Sequence, residues 1–217
     1  MNGKTPLFWP SNFGKVLHYL KSQKFVNILS EPRTGSTALY ESLRREQEID
    51  LDEIISKSNF DNTLSWIESH TDQCKVMKNH CFEILEKTKE QQDRFFNLKA
   101  FHVGLSRRNL FEQSCSLARA ELTNNYHNPN NRKVIIDVDF YTDIFWKVIY
   151  NKFDLCRLYD RLDMILFYED IAFAKSQKHR KFPKKTDIIE NIDQLRDRYS
   201  HLIKMVSVYP DLVILDK

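Results

Sequence analysis

A strand, a tight turn and a helix follow one another without interruption between Phe25 and Leu43. Residues 25–29 are mostly apolar, residues 30–37 read Ser-Glu-Pro-Arg-Thr-Gly-Ser-Thr, and the helix continues through Ala-Leu-Tyr-Glu-Ser-Leu. A helix that begins directly after a buried strand points its unpaired N–H groups at one place, where the positive helix end adds to them. This order of elements predicts an anion site of the phosphate-binding kind.

Gly35 lies in the middle of this turn and is one of only four glycines in the chain. Arg33 adds a fixed cation to the turn, and Ser36 and Thr37 add two hydroxyl groups. An ordinary connection between a strand and a helix, with a glycine needed only for a positive φ, is the alternative. The cation and the hydroxyl groups favour an anion site over that alternative.

The rest of the chain alternates apolar strands with helices. Further strands are predicted at residues 75–80, 98–105, 134–136 and 164–168, and further helices at 51–57, 62–70, 81–93, after Asn109, at 141–159 and at 187–205. This alternation predicts a three-layer α/β fold, with a mainly parallel sheet covered by helices on both faces. Ligands of such sheets bind at the carboxyl ends of the strands, and Arg33, His80 and Arg108 each follow a predicted strand.

Composition narrows the class of protein. A chain of 217 residues with 41% hydrophobic content suits a single domain, here with an N-terminal extension at residues 1–24. The net charge of +3 is small beside 33 basic and 30 acidic residues, so no nucleic-acid partner is expected. No apolar run is long enough for a membrane span, residues 1–24 do not resemble a signal peptide, and the four cysteines show no disulfide pattern. We therefore expect a cytoplasmic protein without a membrane partner.

A second basic turn, Ser-Arg-Arg-Asn at residues 106–109, follows the strand at 98–105. Asn109 can cap the next helix, with Glu112 three residues on. The predicted apolar face of that helix consists of Phe111, Cys115, Ala118 and Leu122. Ser116 lies off this face, so Arg108 and an exposed Ser116 can hold one phosphate from two directions. Solvated arginines beside an uninvolved serine are the alternative.

With both turns in place, the chain resembles the sulfotransferases that use 3′-phosphoadenosine 5′-phosphosulfate (PAPS) as donor. Their first motif, a strand followed by Pro-Lys/Arg-Ser/Thr-Gly-Ser/Thr-Thr, matches residues 32–37. Their second is a strand, Arg-Asn and, eight residues after the Arg, a Ser, as in Arg108-Asn109 and Ser116. Lys78-Asn79-His80 and Tyr168-Glu169-Asp170-Ile171 are weaker matches. The resemblance covers roughly residues 25–195. The sequence of the first turn and its helix is most similar to that of the bacterial sugar sulfotransferase branch.

The resemblance implies a P-loop-like sulfotransferase fold and transfer of a sulfuryl group from PAPS to an acceptor hydroxyl or amine, with 3′,5′-diphosphoadenosine (PAP) as product and no metal. It implies a small-molecule or carbohydrate acceptor. The residues implied for the 5′-phosphosulfate are Arg33, Thr34, Gly35, Ser36, Thr37 and Ala38. Arg108 and Ser116 would hold the 3′-phosphate. The basic stretch 180–185, with Lys184 and Lys185, would replace the loop that covers the nucleotide.

Two candidates for the catalytic base stay open. His80 ends a predicted strand, and an imidazole exchanges protons near neutral pH. Glu53, with Glu48 behind it, is the rival, because the resembled sugar branch uses a carboxylate after the first helix. Arg33 cannot deliver a proton at useful pH, so its predicted catalytic role is electrostatic. Lys78 is a further candidate for binding sulfate.

Departures from the family pattern leave other functions open. Leu110 stands where the family usually has Pro, and many members have Lys at the position of Arg33, so a retained fold without activity is one alternative. A P-loop nucleotide kinase uses the same strand–loop–helix device, although the Gly-x-x-x-x-Gly-Lys-Ser/Thr spacing is absent, with no second Gly in the turn and no Lys directly before Ser36, and only Asp137 suggests a magnesium carboxylate. A non-catalytic nucleotide- or nucleic-acid-binding module that uses residues 175–185 is the third alternative.

Overall fold

A computed structural model of the chain describes residues 7–8, 13–44, 51, 59–124, 126, 133–170 and 188–206. The strands are β1 (Leu7–Phe8), β2 (Val26–Ser30), β3 (Val76–His80), β4 (Phe101–Ser106) and β5 (Met164–Phe167). The α-helices are α1 (Phe13–Ser22), α2 (Ser36–Leu43), α3 (Phe60–Ser69), α4 (Cys81–Leu85), α5 (Lys89–Phe96), α6 (Leu110–Thr123), α7 (Val138–Arg157) and α8 (Ile192–Val206). A 3₁₀ turn, Tyr159–Arg161, precedes β5.

The five strands form one parallel sheet in the order β1-β5-β4-β2-β3. β2 lies between β3 and β4, with Ser30 paired in register with His80 on one side and Leu105 on the other. β5 extends the sheet from β4, where Ser106 pairs with Phe167. The carboxyl ends of β2 to β5 therefore meet along one edge. The predicted parallel α/β arrangement is confirmed.

Helices cover both faces of this sheet. Successive strand residues point to opposite faces, so Ile28 and Leu29 enter different apolar clusters. On the Ile28 face, α1 and α2 pack against β2 to β5. On the Leu29 face, the covering elements are α3, α4, α5 and the end of α7. A third cluster joins α6, α7 and α8 beyond the sheet.

Capping residues explain two of the boundaries that periodicity did not predict. The single helix expected at residues 81–93 is wrong: it is two helices, because Thr88 starts a new one by accepting a hydrogen bond from the Gln91 N–H at 3.3 Å. Asp137 accepts hydrogen bonds from the Asp139 and Phe140 N–H groups, so α7 begins at Val138. The predicted cap at Asn109 is confirmed, because its side chain accepts the Glu112 N–H at 3.0 Å.

Two further predictions need correction. Residues 134–136 form no strand of the sheet; Val134 makes only one isolated parallel bridge, to Ile189. Leu122 does not belong to a buried face of α6, since it is 51% exposed. The predicted helix at 51–57 and the basic stretch at 175–185 lie outside the described residues, apart from Leu51. None of the described helices has the length and apolar character needed to cross a membrane.

Candidate functional site

The turn between β2 and α2 uses two left-handed backbone conformations. Arg33 has φ 64° and Gly35 has φ 78°. The left-handed region suits glycine but is uncommon for a residue with a side chain, so Arg33 stores backbone strain here. The helix α2 then begins at Ser36, directly after Gly35, so its first N–H groups face the carboxyl edge of the sheet.

The side chain of Arg33 reaches across to α6. Its Nε–H donates a hydrogen bond to the Ser116 hydroxyl oxygen at 3.0 Å, and its Nη1 donates to the Tyr126 carbonyl oxygen at 2.6 Å. Ser116 is only 2% exposed, so the prediction of an exposed serine is wrong. The Arg33 guanidinium covers the Ser116 hydroxyl.

Positive charge is concentrated around this contact. Burial lowers the pKa of Arg33, and the nearby charges of Arg107 and Arg119 lower it further. An arginine stays protonated at neutral pH despite such a shift. The arrangement therefore gathers cations whose mutual repulsion a bound anion would relieve.

Lys78 and His80 approach the turn from β3. The Lys78 side chain is 2% exposed, and its Nζ donates to the Thr37 hydroxyl oxygen at 3.2 Å. His80 Nδ1 lies 3.3 Å from the Ser30 carbonyl oxygen, and its ring stacks on Phe82 with 5.5 Å between centroids. Both residues therefore lie beside the turn, as their place at the end of a strand predicted.

A buried carboxylate lies under the turn. Glu31 is fully buried and accepts hydrogen bonds from the Ser106 hydroxyl at 2.7 Å and the Gln113 amide at 3.0 Å. Gln113 also donates to the Pro32 carbonyl oxygen at 2.9 Å. These bonds fix the end of β2 against the end of β4 and against α6, so they determine how the two basic turns face each other.

Lys152 of α7 balances the charge of this carboxylate. Its Nζ lies 3.8 Å from Glu31 Oε2, and both side chains are almost completely buried. The same Nζ donates to the Ser106 hydroxyl oxygen at 3.0 Å and to the Arg107 carbonyl oxygen at 2.6 Å. Such a buried pair is stable only when hydrogen bonds satisfy both groups, as they do here.

The second turn is bound by the residues that follow β5. Asp170 accepts two hydrogen bonds from the Arg108 guanidinium, at 3.1 and 3.2 Å, and the guanidinium carbon lies 3.9 Å from the centre of the Phe167 ring. Glu169 accepts the backbone N–H groups of Arg108 and Asn109, each at 3.0 Å. Arg108 is thus a paired cation at the sheet edge.

Tyr168 connects the two turns. A Cβ atom added to Gly35 would lie 2.6 Å from Cδ2 of the Tyr168 ring, so the ring packs directly on the glycine. The Arg107 guanidinium carbon lies 4.6 Å from the centre of the same ring. Arg107 is 3% exposed, and its Nη2 bonds Glu112 at 2.5 Å. Within the described residues, its Nε and Nη1 have no hydrogen-bond partner.

Most of the predicted site residues lie on or beside the two turns. The first turn and the start of α2 carry Arg33, Thr34, Gly35, Ser36, Thr37 and Ala38. Arg108 and Ser116 lie on the second turn and on α6, and His80 ends β3. Glu53, Glu48, Lys184 and Lys185 lie outside the described residues. Asp137, the magnesium ligand suggested for a kinase, caps α7.

Sequence reasoning missed three residues that hold these turns in place: Glu31, Gln113 and Lys152. An acidic residue directly after a buried strand was one available signal for Glu31. Lys152 had no comparable signal, because it is a lysine within a mixed helical sequence. Among the described residues, no three His, Cys, Asp or Glu side chains are grouped so that they could hold a metal ion.

The fold and the site define an α/β class: a parallel sheet with a strand–loop–helix turn and a second basic turn at its carboxyl edge. Compared with known proteins, the chain matches no protein-family model, no curated protein and no solved structure.

Proposed function

We propose that this chain is a PAPS-dependent sulfotransferase with a P-loop-like fold. The observation that carries the proposal is the 3.0 Å hydrogen bond from Arg33 to Ser116. It joins the first turn to Ser116, the serine of the second donor-binding motif, although these residues are 83 positions apart in the chain. A nucleotide with phosphate groups at both ends of its ribose needs two such cationic sites close together.

The first turn is proposed to hold the 5′-phosphosulfate. Backbone N–H groups at residues 34–37 and the N-terminal end of α2 would bind its oxygens. Arg33 would stabilise the charge that grows on the bridging oxygen as the sulfur–oxygen bond breaks. Lys78, which is buried and bonded to Thr37, supplies a second cation beside the same oxygens.

Arg108 and Ser116 are proposed to hold the 3′-phosphate. The Arg108 guanidinium already presents two parallel N–H groups to a carboxylate, and a phosphate presents the same geometry. Binding would therefore require the phosphate to replace Asp170 on Arg108 and Arg33 on the buried Ser116 hydroxyl. The Arg108 and Asp170 side chains are 37% and 19% exposed, so the exchange breaks a partly solvated pair.

His80 is the proposed base. If its Nδ1–H donates to the Ser30 carbonyl oxygen, 3.3 Å away, Nε2 carries the lone pair that accepts a proton. The acceptor oxygen or nitrogen then bonds to sulfur while the bond from sulfur to the bridging phosphate oxygen breaks. The proton goes to His80 and the electron pair leaves with PAP. Glu53 remains the rival base.

The test is a calorimetric comparison of PAP, AMP and Mg-ATP, followed by an acceptor screen with ³⁵S-labelled PAPS. We expect PAP to bind most tightly of the three nucleotides. Arg108→Ala should weaken the binding of PAP much more than the binding of AMP. The matched control is Arg157→Ala, since Arg157 lies on α7 with a side chain that is 64% exposed. Tight binding of Mg-ATP with no preference for PAP would favour a kinase and refute the proposal.

A further inference from the structure

A groove of about 560 Å³ opens beside the first turn, between α4 and α7. Its lining includes Pro32, Phe82, Glu86, Asp143, Trp146 and Tyr150. Grooves of about 300–1,000 Å³ are typical of small-molecule sites. Pro32 directly precedes Arg33, and Phe82 stacks on His80, so the groove adjoins both residues proposed for the reaction.

Aromatic rings form much of the groove wall. Tyr150 is 67% exposed, and Trp146 and Phe82 are half-buried. Such large side chains left open to solvent along one groove indicate a binding surface. The faces of their rings carry partial negative charge and attract cations.

The charged groups of the groove favour the same kind of ligand. Neither Glu86 nor Asp143 has an ion-pair partner among the described residues. Lys147 also lines the groove, but its Nζ bonds Glu121 at 2.6 Å. The groove therefore presents two uncompensated carboxylates beside aromatic rings.

We propose that this groove binds the acceptor, and that the acceptor is a hydroxylated organic cation such as an amino sugar. The inference rests on the proposed sulfotransferase function. An ammonium group between a ring face and a carboxylate gains from both contacts. An anionic acceptor would be repelled by Glu86 and Asp143.

The experiment measures binding by calorimetry with PAP present, using two trisaccharides of equal length. One is the glucosamine trimer, which is cationic, and the other is the N-acetylglucosamine trimer, which is neutral. We expect the cationic trimer to bind more tightly. Glu86→Gln and Asp143→Asn should each weaken it by about fivefold, as for an exposed ion pair, and leave the neutral trimer unchanged.

Asp160→Asn is the matched control, because Asp160 is an exposed acid outside the groove. Tyr150→Ala should weaken the binding of both trimers, and the fold should tolerate this change because Tyr150 is exposed. Equal affinity for the two trimers, or unchanged affinity in both carboxylate variants, would overturn the inference. Binding is measured without sulfate transfer, so selective binding with no sulfated product would refute the proposed function and leave the cation site standing.

Discussion

Arg33 and Ser116 are joined by a hydrogen bond from Nε to Oγ that links the first turn to α6. Ser116→Ala removes the hydroxyl oxygen that accepts this bond, so the Nε–H of Arg33 loses its partner at Ser116. We expect the affinity for PAP to fall by about tenfold, with a smaller loss for AMP, as measured by calorimetry. Ser200→Ala, on the exposed side of α8, is the control. Equal losses for both nucleotides would contradict a role at the 3′-phosphate.

Arg33→Ala should affect the reaction itself. Loss of one preorganised cation or donor at a developing charge lowers turnover by about 10²–10³-fold. The side chain is joined to the rest of the protein by polar contacts, so folding should survive. Turnover with labelled PAPS and circular dichroism together check this expectation. A variant that folds and keeps its turnover would remove Arg33 from the mechanism.

Asp170 competes with a phosphate for Arg108. Asp170→Asn removes the charge of the competing carboxylate, so we expect PAP to bind about fivefold more tightly and AMP to bind as before. Titration calorimetry at low salt measures both affinities. Weaker PAP binding in this variant would show that Asp170 positions Arg108 for the ligand, contrary to the exchange proposed above.

Gly35 has both a positive φ and a ring against its Cα. Gly35→Ala should lower the free energy of unfolding by about 1–3 kcal/mol from the backbone alone, with more from the clash with Tyr168. Adding Tyr168→Ala to Gly35→Ala should restore only the part of the unfolding free energy that the clash removes. Urea denaturation of the two single variants and the double variant separates these components. If the losses of the two single variants add up to the loss of the double variant, the added methyl group does not clash with Tyr168.

Lys152 and Glu31 form the buried ion pair beneath the turn. Lys152→Met leaves the Glu31 carboxylate buried without its cation, which should cost about 3–5 kcal/mol of unfolding free energy. Adding Glu31→Gln removes that charge and should restore a substantial part of the loss. Urea denaturation measures both variants. If the double variant is no more stable than Lys152→Met, the charge on Glu31 is not the cause.

Burial makes two cysteines unreactive. It raises the pKa of the Cys115 thiol to about 12 and that of Cys81 well above its usual value. Iodoacetamide at pH 8 should therefore label the half-buried Cys156 before either of them, as followed by mass spectrometry. The protonated thiol of Cys115 contributes stability that is complete below the unfolded pKa of 9.0 and is lost as pH rises toward about 12. Cys115→Ala should flatten that decline.

Local patterns in the sequence predicted the elements that carry the turns. The apolar run before Ser30, the single glycine at residue 35 and the cap at Asn109 each depend on nearby residues alone, so they could be read directly. Thr88 was missed because a capping threonine inside an otherwise helical pattern looks like an ordinary helical residue.

The contacts within the site could not be predicted in the same way. The covering of Ser116 by Arg33 depends on the left-handed backbone at Arg33, which favours no particular residue type that the sequence could reveal. The pairing of Glu31 with Lys152 depends on the packing of α7 against the sheet edge. Only the three-dimensional arrangement of distant elements brings such partners together.

The position of β1 affects the order in which the sheet can form. Leu7 and Phe8 pair with Met164 and Ile165, so β1 cannot take its place in the sheet until the distant β5 has been synthesised. Pairings between such distant segments form slowly, because a long loop must close first. During synthesis the outer edge of β5 is therefore completed last, after β2 and β3 have already had the chance to pair.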